Sequence, residues 1–215
     1  VLRLVKRSNM NIVAIDFSIN SPGICVLKDG KPHWIGYLNA TKMSKKDKAI
    51  QDEMSRLDDV TLIFQSEPDV SKQELIRVQR HISLAEELTK LIIEYTDPSQ
   101  PYKIYFEGAS YGTSRFGTNS LLDLASASSI FKYKLIQDLS VVEDLEVLAP
   151  TTIKKFAGKG NMKKEDMWKV FLDNQDLSSS PFWKFCQSHR EDKKLVKPID
   201  DLVDSYFILM CSLGG

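Results

Sequence analysis

Three acidic positions stand apart from the chain's other carboxylates because each closes or opens an apolar run. Asp16 ends Asn11-Ile12-Val13-Ala14-Ile15, Glu107 ends Lys103-Ile104-Tyr105-Phe106, and Asp201 with Asp204 leads into Tyr206-Phe207-Ile208-Leu209-Met210. A carboxylate at the end of a buried strand is costly unless a cation or a set of donors meets it. Asp201 and Asp204 stand at i and i+3, so a helix would present both on one face. Four such groups converging, with no His or Cys patterned beside them, suit hard divalent cations such as Mg2+ or Mn2+. The chemistry this opens is two-metal phosphodiester hydrolysis, with water as the nucleophile and the charge on the leaving oxygen neutralised. Asp200, at i and i+4 from Asp204, competes for the same role; a carboxylate in a first helical turn is also favoured by the helix dipole.

The elements that must position these groups follow from hydrophobic periodicity. Asn11 to Asp16 reads as a buried strand, Ser18 to Gly23 as a turn rich in Asn, Ser, Pro and Gly, and Ile24 to Leu27 as a strand pairing back on the first. Pro32 to Leu38 supplies a third strand, with His33 as an edge-strand residue. The lysine-rich stretch Lys42 to Lys48 reads as a solvated loop. Ser71 and Glu74 form a capping box for a helix whose core stripe is Leu75, Val78, Ile82, Ala85, Leu88, Ile92 and Tyr95, stopped by Asp97-Pro98. A strand from Lys103 to Glu107 and a polar loop from Gly108 to Asn119 precede a helix over 120–138. The small residues Ala125 to Ser129 of that helix allow close packing. Glu146 to Ala149 is a further strand, followed by helices beginning near Thr151 and Lys163. The stretch from Asp173 to Lys197 is irregular, and a buried helix follows Pro198.

Positive charge gathers in one place. Lys154, Lys155, Lys159, Lys163 and Lys164 fall within eleven positions that hold no acidic residue, and Gly158 and Gly160 leave the backbone free to approach a phosphate. Beside a carboxylate cluster this segment reads as a clamp on a nucleic-acid backbone. The formal charge balances at 29 basic and 29 acidic residues, which excludes a general polycation. Hydrophobic residues at 42% and charged residues at 27% describe an ordinary globular composition. The three cysteines, Cys25, Cys186 and Cys211, lack metal-ligand spacing and read as reduced structural thiols. No apolar run is long enough to span a membrane, so a cytoplasmic protein is expected. Residues 1–9 read as a leader or flexible arm, and 10–215 as a single domain.

Four stretches, in order, carry a resemblance to a known family. They are Ile15-Asp16-Phe17-Ser18 through Ser21-Pro22-Gly23, and Phe106-Glu107-Gly108 with Tyr111-Gly112. The third runs from Ala149-Pro150-Thr151-Thr152-Ile153-Lys154-Lys155-Phe156 to Lys163-Lys164-Glu165, and the last is Asp200-Asp201-Leu202-Val203-Asp204-Ser205. Together they resemble the RuvC-like Holliday junction resolvases of the RNase H-like superfamily, most closely their phage-encoded branch. The resemblance implies metal ligation by Asp16, Glu107, Asp201 and Asp204, with Mg2+ as the cofactor and Mn2+ as a substitute. It implies DNA contact by Lys154 or Lys155 and by Lys163 or Lys164, and an aromatic wedge, Tyr111 or Phe116, entering the junction centre. It further implies a homodimer that cuts four-way DNA by paired symmetric nicks. Ala14 and Phe17 depart from the family, many members of which have Gly and Pro there.

The expected architecture is therefore α/β, an RNase H-like mixed sheet flanked by helices, with the carboxylates where strand ends meet the last helix. The expected activity is metal-dependent endonucleolytic resolution of branched DNA. Rival readings are a branch or flap nuclease of the same fold, a junction-binding module that does not cut, and an actin-like phosphate-binding domain, which also begins with strand, Asp and turn.

Overall fold

The computed structural model of the chain describes residues 10–28, 30–39, 45–65, 73–108, 118–190 and 196–214. Among them six strands form one mixed sheet in the order β4-β3-β2-β1-β5-β6. The strands are β1 (Asn11–Asp16), β2 (Gly23–Lys28), β3 (Lys31–Asn39), β4 (Val60–Gln65), β5 (Tyr102–Glu107) and β6 (Val142–Leu148). β1 to β3 form an antiparallel meander, while β4, β5 and β6 join their neighbours in parallel. The helices are α1 (Lys45–Met54), α2 (Glu74–Glu94), α3 (Thr118–Asp138), α4 (Pro150–Ala157), α5 (Lys164–Leu172), α6 (Pro181–Ser188) and α7 (Ile199–Gly214).

Strand alternation divides the core in two. Ile12, Ala14, Cys25 and Trp34 face a layer built from α1 and α4 to α7, whereas Val13, Ile15, Ile24, Val26, Ile35 and Tyr37 face α2 and α3. β1 is apolar on both faces because both are covered. Asp16 continues the series of Ile12 and Ala14, so the pleat turns it toward the α7 layer.

α7 lies against β1, β2 and β3 because a row of small residues lets it in. Asp16 pairs in register with Gly23, and Gly23 with Gly36. A Cβ at Gly23 would stand 2.3 Å from the Asp201 carbonyl oxygen, and one at Gly36 would meet Leu62, Pro198 and Leu202. The start of α7 thus fills the space those side chains would need. α1 secures its approach, since Gln51 Nε2 donates to the Lys197 carbonyl at 2.9 Å.

Several sequence expectations are corrected. His33 is on an interior strand, not an edge: it is buried, bonds Thr61 Oγ1 at 3.0 Å and stacks on Tyr95. Lys45 to Lys48, expected as loop, open α1, whose Ile50, Gln51 and Met54 are buried. α2 starts at Glu74 after Gln73 with no side-chain cap; Ser71 lies outside the described residues. Its buried stripe is His81, Leu84, Ala85, Leu88, Thr89 and Ile92, while Leu75 and Ile82 are 69% and 41% exposed. The neighbouring α3 sets that rotation. β4 is not apparent in the sequence. The stretch expected to be irregular contains a 3-10 turn at Gln175–Leu177 and α6, and buries Phe182, Trp183, Phe185 and Cys186. The cysteines are free thiols. Among the described residues no helix is long and apolar enough to cross a membrane.

Candidate active site

Asp16 and Glu107 end two neighbouring parallel strands whose last paired residues are Ile15 and Phe106. The same alternation that points Asp16 toward α7 points Glu107 there as well, since Tyr105 belongs to that layer and Phe106 to the other. Asp201 and Asp204 arrive from the first turns of α7. All four border one cavity of ≈ 750 Å³ whose walls also include Lys154 and Ile153 of α4, Lys164 of α5, and Ser128 and Lys132 of α3.

The carboxylates crowd one another. Burial pushes Asp16 well above the usual carboxylate range, and the charges of Asp204, Glu107 and Asp201 add to the shift. Burial and then Asp204 raise Glu107 to about 7, although Lys154 and Lys164 oppose this. Asp201, 4% exposed, is raised to about 6 by burial and by Asp200. Asp204 is raised by burial against the pull of Lys164.

Two ammonium groups partly relieve this crowding. Lys164 Nζ lies 2.9 Å from Asp204 Oδ2 and 3.3 Å from Asp200 Oδ2. Lys197 Nζ lies 3.0 Å from the same Asp200 oxygen and also pairs with Asp201. Burial disfavours both ammonium groups, but the carboxylates outweigh it and both pKa values are raised. The relief is incomplete, because Asp200 Oδ1 and Asp201 Oδ2 are buried with no hydrogen-bond partner.

Among the described residues no three His, Cys, Asp or Glu side chains stand close enough together to hold a metal ion. The α7 carboxylates are spread between Lys164 and Lys197 instead. By donor type and charge the set still fits a hard divalent cation: it is all oxygen, mutually repelling, and keeps Asp201 Oδ2 buried with no hydrogen-bond partner.

The sequence expectations divide accordingly. The structure brings Asp16, Glu107, Asp201 and Asp204 together. Asp200 is not on the cavity wall and serves as the shared acceptor of the two lysines. Of the lysine segment, Lys154 and Lys164 reach the cavity, while Lys155, Lys159 and Lys163 are exposed outside it. Lys164 is ion-paired within the acidic cluster. Tyr111 and Phe116 lie outside the described residues. Sequence reasoning missed Lys197 and Lys132. Lys197 precedes Pro198 and lies outside α7, so helical spacing did not reveal it, and Lys132 had no local signal.

A scan of protein-family models found no match to the chain, and no curated protein matches it. Solved structures do match. Thermus thermophilus RuvC is 14% identical, with 94% of this chain and 92% of that chain covered and a TM-score of 0.50. T. thermophilus RuvC in complex with a Holliday junction substrate is 12% identical, with 94% and 91% covered and a TM-score of 0.52. The yeast mitochondrial Holliday junction resolvase Ydc2 is 14% identical, with 93% and 76% covered and a TM-score of 0.52. The fold of this chain is thus the RuvC-like, RNase H-like one.

Proposed function

We propose that the protein is a divalent-cation-dependent endodeoxyribonuclease that resolves four-way DNA junctions. The observation that carries this reading is the convergence of Asp16, Glu107, Asp201 and Asp204 on one cavity of a RuvC-like fold. The four carboxylates would hold Mg2+, or Mn2+ in its place. Once bound, the cation supplies Lewis acidity for activating water and for neutralising the leaving oxygen.

The chain's own groups bind and orient. Asp16 and Glu107, fixed at the ends of central strands, form the rigid half of the site. Asp201 and Asp204 form the half borne on α7. Lys154, on the lining of the same cavity, offers positive charge to the phosphodiester. Lys164, paired with Asp200 and Asp204, and Lys197, paired with Asp200 and Asp201, neutralise the α7 carboxylates, and Lys164 would also be available to the phosphate. The reading extends to a homodimer whose two sites make paired symmetric nicks. Leu122, Tyr133 and Ile136, 62%, 66% and 59% exposed along one side of α3, support a subunit contact there.

The test is cleavage of labelled four-way junctions, three-way junctions, flaps and linear duplex with Mg2+, Mn2+ or chelator. Paired nicks in the four-way junction, lost with chelator and with Asp16→Asn, are expected. Equal cutting of flaps and three-way branches would remove junction selectivity, and binding without cutting under either metal would remove catalysis. A monomeric mass in light scattering, with and without junction, would remove the dimer.

A further inference from the structure

Four lysines border or approach the acidic cavity, and three of them are engaged by its carboxylates. Lys164 and Lys197 each make two ion pairs, and Lys154 acts on Glu107. Lys132 differs. It lines the same cavity from α3, one turn beyond Ser128, and α4 lines that cavity with Ile153 and Lys154. Its Nζ lies 4.8 Å above the ring of Phe106, which immediately precedes Glu107 in the chain. Among the described residues it pairs with no carboxylate. The adjacent segment 109–117 contains no Asp or Glu that could supply one. Burial alone depresses its pKa, with no charged neighbour acting on it.

A half-buried ammonium without an anion pays desolvation that only a weak ring contact offsets. In a cavity lined by four carboxylates Lys132 pairs with none of them, which leaves its ammonium open to an anion that enters the cavity. Lys132 and Lys154 thus put two positive charges on the lining of one cavity, from α3 and from α4, and the small Ser128 one turn before Lys132 leaves room for a strand to pass.

We propose that Lys132 is a substrate-binding residue on α3 that contacts a phosphate of the DNA strand lying between the α3 and α4 walls. This rests on the nucleic-acid reading of the cavity. α3 thereby contributes to strand binding, a role that the lysine segment of α4 and α5 would otherwise carry alone. The contact is electrostatic and independent of base sequence, so it contributes to affinity and strand placement.

The experiment is fluorescence anisotropy with a labelled four-way junction, Ca2+ replacing Mg2+, across a series of salt concentrations. Wild type is compared with Lys132→Met, which keeps the aliphatic stem, Lys132→Arg, which keeps the charge, and Lys31→Met. Lys31 opens β3, paired with Lys28, at the opposite end of the β1–β3 meander from Asp16. The expected result for Lys132→Met is an affinity loss of roughly tenfold, the weight of one charge-assisted contact. The slope of log K against log salt falls in magnitude by about 0.9. Lys132→Arg restores the slope and Lys31→Met leaves it unchanged. Should Lys132→Met melt early, the neutral and polar Lys132→Gln carries the comparison. An unchanged slope in the neutral variants overturns the proposal, as does an equal loss in Lys31→Met. Failure of wild type to bind any of junction, flap or duplex removes the nucleic-acid reading and this contact with it.

Discussion

Gly23→Ala tests whether the small-residue row beneath α7 builds the site. The added Cβ would lie 2.3 Å from the Asp201 carbonyl oxygen, 2.5 Å from its carbonyl carbon and 2.9 Å from the Leu202 nitrogen. Ordinary contact begins at 3.4 Å, so α7 or β2 must move by roughly 1 Å in a close-packed interior. No flexible side chain can absorb the overlap, because all three atoms are backbone. α7 is also anchored by Leu202, Val203, Tyr206 and Phe207, all buried. Overpacking of this kind costs about 3 kcal/mol. In urea, with m near 2 to 3 kcal/mol per molar, the midpoint falls by about 1 M. The same shift displaces Asp201 relative to Asp16, the residue paired with Gly23, and a 1 Å error at a reacting centre costs on the order of 100-fold in rate. The measurements are metal-free urea unfolding and junction cleavage. Gly30→Ala serves as the contrast: its φ of 75 is strained for alanine, but no atom lies within 4 Å of the new Cβ. It should lose about 1 kcal/mol and keep full cleavage. A Gly23→Ala protein of wild-type midpoint and wild-type cleavage would refute the close approach of α7 to β2.

Three further outcomes follow from the site and its supports. Glu107 titrates near 7 in the fold against an ordinary value of 4.5, so the folded state holds the extra proton between those values. Its contribution is present below about 4.5 and lost as pH rises through about 7, up to about 3 kcal/mol at 1.36 kcal/mol per unit. Asp201, raised to about 6, acts in the same sense. Metal-free protein should therefore melt lower at pH 8 than at pH 5, and Mg2+ at pH 8 should recover the difference. A melting temperature in chelator that climbs steadily from pH 5 to 8 would contradict this. Asp16→Asn removes a crowded buried charge, so cleavage should vanish while metal-free stability rises by about 1 kcal/mol, read in the same urea titration. Asp59→Ala deprives α6 of its anchor: Asp59 accepts from Ser180 Oγ at 2.5 Å and from the Phe182 amide at 3.0 Å. A loss of about 2 kcal/mol in thermal unfolding is expected, and a loss below about 0.5 kcal/mol would discount the contact.

The site is more legible in the sequence than the parts of the fold that support it. Asp16 and Glu107 can be read because both terminate strands whose apolar runs are buried on two faces, and a carboxylate at such a place is costly without a cation to meet it. Local pattern does not say which face of a helix its neighbours cover. The stripe predicted for α2 is therefore rotated from the observed one, with Leu75 and Ile82 in solvent and His81 inside. α1 is hidden because lysines dominate its first turn, while Ile50, Gln51 and Met54 are the buried residues among its described side chains. α6 carries an unread signal, Ser180 as a cap followed by Pro181 at the first helical position. Lys132 could not be found this way, since nothing near it in sequence shows that α3 borders the cavity.

The lysines resolve an apparent contradiction in the site. Burying four carboxylates at the junction of two strands and a helix is unfavourable on its own, as the raised pKa values of all four record. Lys164 and Lys197 make the arrangement tolerable by pairing with the α7 carboxylates, and among the described residues no three carboxylates stand close enough together to enclose an ion. A divalent cation bound there would compete with the two ammonium groups for the same oxygens, which would tie its affinity to the strength of their pairs. Asp200, the acceptor common to both lysines, would bear on that competition without bordering the cavity. Asp200→Asn should loosen both ammonium groups while leaving Asp16, Glu107, Asp201 and Asp204 in place. Calorimetric titration with Mn2+ should then read an affinity changed severalfold, whereas an indifferent affinity would show that the lysines do not compete for the site.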